Sequence, residues 1–267
     1  MAEKFVDGAI RCNRLGYTIG GQLYQRVTTI KSTLSSGDTL VNWAGEEVAK
    51  KVRSLVEGYH AGTYPLEALL IALQKDDLGK AHEKTRDAAA DFGTAFHSVV
   101  EAAGTGDWGA LKDLPLHPEF WTSVKHFKSW AEANRPVWLR NEFVVYHPEL
   151  KVAGQVDALA EIQGQTWLID VKTSKNIYAP EYALQLAAYK YAPLIARADG
   201  GSEPMPKIDR CGILHVPKTG DRCELHELEV GERQFDAFRA CHQLYWYKRN
   251  QPASALVDAN YDLAFAG

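Results

Sequence analysis

The sequence predicts an α/β protein whose mixed central sheet is flanked by helices and preceded by a helical N-terminal subdomain. Apolar residues recur at helical spacing in the first half of the chain, whereas the segments after Val137 are rich in β-branched and aromatic residues. The predicted elements follow the order helices, three strands, helix, two strands, helix. This order is typical of an α/β domain with a mixed sheet.

Four helices are predicted in the first half of the chain. The first, Leu40–Tyr59, carries an apolar stripe, and Pro65 opens the second. The third and fourth helices cover Ala88–Ala103 and Glu119–Ala133.

The second half of the chain is predicted to form the sheet. Its elements are, in order, strands Val137–His147, Lys151–Ile162 and Thr166–Thr173, helix Pro180–Arg197, strands Arg210–Val216 and Cys223–Val230, and helix Arg233–Lys248. We therefore divide the chain into a helical N-terminal subdomain, residues 1–87, that packs on a core formed by residues 88–267.

Length and composition fit a globular protein. The chain has 267 residues, of which 46% are hydrophobic and 24% are charged, and this is enough to bury a sizeable core. No apolar run approaches the roughly 18 residues of a membrane span, and the N-terminus lacks the apolar stretch of a signal peptide. We therefore expect a monomeric cytoplasmic protein, in the host-cell cytoplasm if it is viral, with no membrane partner.

One segment combines basic and aromatic residues. From Gly8 to Gly37 there is no Asp or Glu, although the net charge of −4 argues against a protein that coats nucleic acid non-specifically. Basic groups with interleaved aromatic rings suit a phosphate backbone and stacked bases. An ordinary solvated segment is an equally good interpretation. The candidate DNA-binding residues are Arg11, Arg14, Tyr17, Tyr24, Arg26 and Lys31.

A predicted hairpin brings two acidic residues together. A two-residue turn at Gln163 and Gly164 fixes the register of the strands on either side of it. This register places Asp157 directly opposite Asp170, with Cβ atoms about 5 Å apart. Lys172 projects to the same side as Asp170, because side chains alternate along a strand.

The two facing carboxylates need a positive charge between them. They repel each other unless one is protonated or a divalent cation binds both, and oxygen ligands at this spacing suit Mg²⁺ or Mn²⁺. Together with Lys172, such a site suits metal-assisted cleavage of a phosphodiester. The metal would lower the pKa of a water, and the lysine would orient this water or neutralise developing charge. A surface cluster of salt bridges is the alternative interpretation.

The predicted Ala88–Ala103 helix adds a histidine to these groups. His97 lies outside the apolar stripe of this helix and leans over Gly93, one turn earlier. We expect the missing side chain of Gly93 to clear room for the imidazole. Glu101, one turn later, is placed to hold the ring or to add an acid. A lone histidine is more often structural than a ligand.

The helix after the third strand adds an amide and a hydroxyl. Gln185 and Tyr189 are four residues apart and share a helix face. They are suited to hold the lysine or a nucleic-acid base, although as an isolated pair they indicate little.

Four short motifs occur in series: Gly93-Thr-Ala-Phe-His97, Gly154-Gln-Val-Asp157, Asp170-Val-Lys172 and Gln185-Leu-Ala-Ala-Tyr189. The series resembles the PD-(D/E)XK nuclease superfamily, and specifically its RecB-like exonuclease branch, which includes CRISPR-associated RecB-like, mitochondrial genome maintenance and phage exonucleases. The resemblance covers roughly residues 93–189. It implies the restriction-endonuclease-like core of that superfamily for residues 88–267.

The resemblance also assigns roles to single residues. It implies that Asp157, Asp170 and Lys172 are catalytic. The implied metal ligands are His97, Asp157, Asp170 and the backbone carbonyl of Val171. The residues expected to support the site or to contact DNA are Glu101, Glu142, Thr173, Gln185 and Tyr189.

The implied activity is that of a Mg²⁺- or Mn²⁺-dependent DNA exonuclease. It would hydrolyse phosphodiester bonds from single-stranded or frayed DNA ends in recombination, repair or replication. Two alternatives remain open: an endonuclease or nickase of the same superfamily, and a non-catalytic DNA-binding subunit of a recombination complex.

Some members of this branch hold an iron–sulfur cluster with one early cysteine and a tight late trio. Here the late cysteines Cys211, Cys223 and Cys241 are widely separated, and we expect no cluster.

Overall fold

A mixed β-sheet with helices packed on both faces forms the protein and confirms the predicted fold class. The computed structural model describes residues 4–7, 9–34, 37–74, 78–114, 118–218 and 222–250. In these parts of the chain, none of the helices combines the length and the apolar composition that crossing a bilayer requires.

The described chain begins with four short antiparallel strands. They are β1 Lys4–Asp7, β2 Ile10–Asn13, β3 Gly16–Ile19 and β4 Gln22–Arg26. Gly20 and Gly21 join β3 to β4 with φ of 56° and 80°, and a tight hairpin turn favours such positive values. The sequence predicts a helical subdomain here and no strand. Strands of four or five residues contain too few alternations to stand out in the sequence.

The helices of the first half follow these strands. They are α1 Val27–Lys31, α2 Gly37–His60, α3 Leu66–Gln74, α4 Ala81–Thr105 and α5 Pro118–Asn134, with short 3-10 turns at Ser32–Leu34 and Trp108–Asp113. Helices α2 to α5 confirm the four predicted helices. Since α4 begins at Ala81 rather than Ala88, it runs across the predicted boundary between residues 87 and 88, and the division into two subdomains stays a prediction.

The second half supplies the rest of the sheet. Its elements are β5 Val137–His147, β6 Val152–Ile162, β7 Gln165–Lys172, α6 Ala179–Lys190, β8 Leu194–Ala196, β9 Ser202–Pro204, β10 Arg210–His215, β11 Glu224–Leu228 and α7 Glu232–Asn250. Strands β5, β6 and β7 are antiparallel neighbours, whereas β10 runs parallel to β7 and β4 runs parallel to β6. The predicted three-strand, helix, two-strand, helix order is therefore confirmed, with β8 and β9 as additions.

Helix α6 is shorter than the predicted Pro180–Arg197. It ends at Lys190, and Leu194–Ala196 forms strand β8 against β5. Pro193 explains the difference, because proline lacks the N–H that a helix interior needs and disfavours helical geometry at the residue before it.

Strand β6 changes its partner along one edge. Strand β4 pairs with its first residues, Val152 and Ala153, and β7 pairs with it from Ala158 to Ile162. Gly154–Asp157 therefore lies where β4 and β7 separate. This opening in the sheet positions the candidate site.

Two apolar clusters cover the opposite faces of the sheet. Helices α6 and α7 pack on one face, where Leu186 and Phe238 are fully buried. Helices α4 and α5 pack on the other, where Phe96 and Phe127 are fully buried. Side chains from α4 and α6 thus reach the opening from opposite sides.

Candidate active site

The predicted hairpin register is confirmed up to the edge of the opening. The pairing runs from Ile162 with Gln165 to Ala158 with Ile169, one residue short of Asp157 and Asp170. Beyond the last backbone pair, the Asp157 side chain links the two strands. Its Oδ2 accepts a hydrogen bond of 2.6 Å from the backbone N–H of Val171. Burial, together with repulsion from Asp170, raises the pKa of the Asp157 carboxyl to about 7.

Asp170 is buried between an amide and an ammonium group. Its Oδ1 accepts a hydrogen bond of 2.8 Å from Gln185 Nε2 on α6, and its Oδ2 is ion-paired with Lys172. Burial disfavours a charged Lys172, but attraction to Asp170 and Asp157 outweighs it and raises the lysine pKa. The acid, acid and lysine of the sequence prediction therefore form one group of interacting charges.

His97 reaches the same group from α4. Its Nδ1 lies 2.9 Å from Glu142 Oε1 and 3.4 Å from Asp157 Oδ1. Burial opposes protonation of the imidazole, but the two carboxylates outweigh it and raise the pKa of His97 to about 9. Glu142 is held in turn by Gln155, whose Nε2 donates a hydrogen bond of 2.6 Å to Glu142 Oε2.

Glu142 lies among the candidate metal ligands, whereas the sequence predicts only a supporting role for it. His97, Glu142 and Asp157 each offer a ligand atom within 4.8 Å of the others, a group that does not include Asp170. Glu142 has a φ of 49° inside strand β5, and a left-handed non-glycine residue costs on the order of 1–3 kcal/mol. Its neighbour Asn141 also reaches α4, with a 3.3 Å hydrogen bond to the Val100 carbonyl. The alternation of side chains along β5 is therefore broken at Glu142. This acid, which the sequence predicts only as a supporting residue, becomes a candidate metal ligand.

The donor set fits a hard divalent cation. The carboxylates of Asp157 and Glu142 and the imidazole of His97 offer the ligand atoms of this group, whereas Asp170 and the Val171 carbonyl stay predicted ligands. Oxygen-rich sites of this kind suit Mg²⁺ and Mn²⁺. Within the described residues, the buried Oδ2 of Asp170 is approached by the Lys172 ammonium and makes no hydrogen bond of good geometry. A cation would also satisfy this oxygen.

The other residues predicted around the site divide into two groups. Gln185 and Tyr189 are buried on α6 beside the opening, and Thr173 Oγ1 lies opposite Gly93 on α4. Glu101 is exposed one turn beyond His97 and lies outside the group of three ligand atoms. The opening thus brings together the four motifs but not Glu101.

The N-terminal basic segment is only partly exposed. Tyr17 and Arg26 line a cavity of about 180 Å³ together with Asp157, Asp170 and Lys172. Arg26 is held by the Cys12 sulfur, 3.1 Å from its Nη2, and by the Asn13 carbonyl. The segment therefore forms one wall of the candidate site.

The remaining residues of the segment differ in their placement. Tyr24 packs edge-on against Tyr146, 5.1 Å between ring centroids, so its burial corrects the expectation of a ring that stacks on bases. Arg11 and Arg14 are exposed at β2 and the turn after it, and Lys31 contacts Gln185.

The cysteines lie on different faces of the sheet. Cys211 and Cys241 belong to the cluster under α6 and α7, and Cys223 belongs to the cluster under α4 and α5. All three are buried and reduced, and burial raises the pKa of Cys211 and of Cys223 to about 12. The expectation that the protein holds no iron–sulfur cluster stays a prediction.

Two glycines at the site are expected to respond in opposite ways to alanine. A Cβ on Gly154 would lie 2.4 Å from Cε1 of the buried Tyr189, so Gly154→Ala should destabilise the protein by about 1–3 kcal/mol. A Cβ on Gly93 would meet only Thr173 Oγ1, at 3.6 Å. Gly93→Ala should therefore stabilise α4 by up to about 1 kcal/mol.

Thermal unfolding of both variants tests this pair. The open space at Gly93 also corrects the expectation that this glycine clears room for the imidazole, since the ring of His97 is not within 4 Å of the added carbon. A Gly93→Ala protein that unfolds at a lower temperature than the parent would restore the original interpretation.

Comparison with known proteins gives a family match over most of these elements. A family model described as the PD-(D/E)XK nuclease superfamily matches residues 72–245, a segment that contains all four motifs. A solved structure described as "Crystal structure of SSO0001" is similar at 14% sequence identity and a TM-score of 0.29, over 59% of this chain and 73% of that chain. No curated protein matches the chain.

Proposed function

Because the chain belongs to the PD-(D/E)XK nuclease superfamily, we propose that it is a Mg²⁺- or Mn²⁺-dependent DNA exonuclease of the RecB-like branch. One observation carries the proposal. His97, Asp157, Asp170 and Lys172, which come from three separate elements of the chain, converge at the opening where β4 and β7 leave β6. A cluster of surface salt bridges does not account for two carboxylates that are this deeply buried.

The residues of the opening have distinct tasks in this proposal. His97, Asp157, Asp170 and the Val171 carbonyl would hold the cation, which when bound lowers the pKa of a water and stabilises charge on the phosphate. Lys172 donates to the attacking water or to a phosphate oxygen, and Asp170 fixes the position of its ammonium.

The neighbours of these residues orient them. Glu142 holds the ring of His97 and is itself held by Gln155, whereas Gln185 fixes the Asp170 carboxylate. Tyr189 fills the space above Gly154, so it supports the strand that carries Asp157.

The walls of the cavity favour an exonuclease over an endonuclease. Strands β3 and β4 and helix α1 contribute Tyr17, Arg26 and Thr28 to the same cavity as the catalytic groups. A site enclosed on this side admits a strand end or a frayed terminus more readily than a continuous duplex. We propose that the substrate is DNA with single-stranded or frayed ends, and that the enzyme acts in recombination, repair or replication.

A pair of substrates distinguishes the candidate functions. With Mg²⁺ or Mn²⁺, linear single-stranded DNA labelled at the 5′ or the 3′ end should be shortened progressively, whereas a covalently closed circle of the same sequence should stay intact. Cutting of the circle would identify an endonuclease or nickase. Binding of linear DNA without cleavage in either metal would instead identify a non-catalytic subunit.

A further inference from the structure

A lysine from the N-terminal part of the chain reaches the catalytic group. Lys31, the last residue of α1, donates a hydrogen bond of 3.0 Å from Nζ to Gln185 Oε1, although the two residues are 154 positions apart. The same amide donates through Nε2 to Asp170. Gln185 therefore links Lys31 to a proposed metal ligand, and this orientation of the amide is fixed at both ends.

Two lysines share one aromatic ring beside the opening. Lys31 Nζ lies 5.3 Å and Lys172 Nζ lies 5.2 Å from the ring centroid of the buried Tyr182. Lys172 is ion-paired with Asp170. Among the described residues, no carboxylate lies within 4.0 Å of the Lys31 ammonium, whose hydrogen-bond partner is the neutral amide of Gln185.

This placement of Lys31 is costly without a further anion. The side chain is partly buried, and desolvation together with repulsion from Lys172 lowers the pKa of Lys31 in spite of attraction to Asp170 and Glu181. The amide oxygen of Gln185 accepts from one of the three N–H donors of the Lys31 ammonium, which leaves two donors for another acceptor. An incoming anion would satisfy these donors and offset the repulsion between the two lysines.

We propose that Lys31 binds the DNA phosphate next to the one being cleaved, as a second lysine of the active site. The inference rests on the proposed nuclease function and deepens it. Lys172 donates to the water or phosphate that reacts, whereas Lys31 binds the neighbouring phosphate. This second contact fixes which phosphate of the strand lies at the metal ligands. Lysine suits this task because its ammonium acts as a compact point charge for a phosphate.

The test compares charge-removing and charge-keeping variants of Lys31. Lys31→Met removes the charge at similar length, Lys31→Gln keeps a donor for Gln185, and Lys31→Arg keeps the charge. The matched control is Lys207→Met, since Lys207 is a surface lysine that precedes β10 at the end opposite Lys172. Affinity for a linear single-stranded oligonucleotide is measured in Ca²⁺ at several salt concentrations, after a gel has shown that the oligonucleotide stays intact.

We expect Lys31→Met and Lys31→Gln to weaken binding by about tenfold and to lower the slope of log affinity against log salt by about 0.7, the contribution of one single-strand phosphate. Lys31→Arg and Lys207→Met should keep the parental slope. In Mg²⁺ the two uncharged variants should raise KM while kcat changes less than about threefold, because the contact is made equally in ground and transition states.

Two results would overturn the proposal. An unchanged salt slope in Lys31→Met would show that no phosphate contact was lost. A weaker affinity with the parental slope, not recovered in Lys31→Arg, would show that Lys31 only orients Gln185. If Lys31→Met does not fold, Lys31→Gln carries the same test. If the parent protein cleaves no DNA, the nuclease proposal fails, whereas the salt slopes still decide whether Lys31 binds a phosphate.

Discussion

Replacing Lys172 with methionine is expected to lower kcat by about 10³-fold or more, with the fold retained. The Lys172 ammonium is the cation that contacts the buried Asp170, and it also interacts with Asp157. Removing one preorganised donor from an enclosed site typically costs a factor of about 10²–10³, and here the same group also neutralises the two acids. Single-turnover cleavage of end-labelled linear DNA in Mn²⁺ measures the loss.

The controls separate catalysis from folding. Lys207→Met removes a lysine from the surface and should keep parental kcat, and thermal unfolding should show that Lys172→Met is folded. Lys172→Arg keeps the charge but changes its shape, and we expect it to recover only part of the rate because a planar guanidinium cannot occupy the place of an ammonium. Cleavage by Lys172→Met at the parental rate would contradict the assignment of this lysine.

Much of the geometry of the candidate site could be predicted from the sequence because it is local. The turn at Gln163 and Gly164 fixes the register of β6 and β7, and a register fixes which side chains meet. The same register brings Asp157 near Asp170 and puts Lys172 on their side of the sheet. Strand alternation and turn chemistry are properties of a few neighbouring residues, so a single sequence contains them.

The remaining features of the site depend on contacts between distant segments. Glu142 faces His97 because its backbone adopts a left-handed conformation within β5, and no residue type in that strand signals such a break. Lys31 meets Gln185 only after α1 has packed near α6. A composition rich in basic and aromatic residues could indicate this segment, but it could not tell the buried Tyr24 from the lysine that reaches the site.

Replacing Asp157 with asparagine is expected to stabilise the metal-free protein and to abolish its response to divalent metal. The pKa of Asp157 is raised from 3.8 to about 7, first by burial and then by Asp170. A raised pKa means that the folded state holds this proton more tightly than the unfolded state does. The stability of the metal-free parent should therefore fall as pH rises from about 4 to about 7, and the whole penalty should be present above pH 7.

Asparagine cannot ionise, so the variant should lack this penalty while its side-chain oxygen still accepts the Val171 N–H. In EDTA at pH 8 we expect a midpoint of thermal unfolding higher than the parental one by a few degrees, since 1 kcal/mol corresponds to about 2–4 °C in a chain of this size. The difference in midpoint between Asp157→Asn and the parent should shrink towards pH 4. Mg²⁺ should raise the midpoint of the parent, because a ligand that binds only the folded state stabilises it, and should leave that of Asp157→Asn unchanged.

A surface acid supplies the control with the opposite sign. Lys207 lowers the pKa of the exposed Asp209, so Asp209→Asn should give no gain in midpoint at pH 8 and should keep the parental response to Mg²⁺. A metal-free Asp157→Asn protein less stable than the parent at pH 8 would mean that attraction to His97 and Lys172 outweighs burial. The two acids would then stabilise the fold by themselves, and the argument that their repulsion requires a cation would fail.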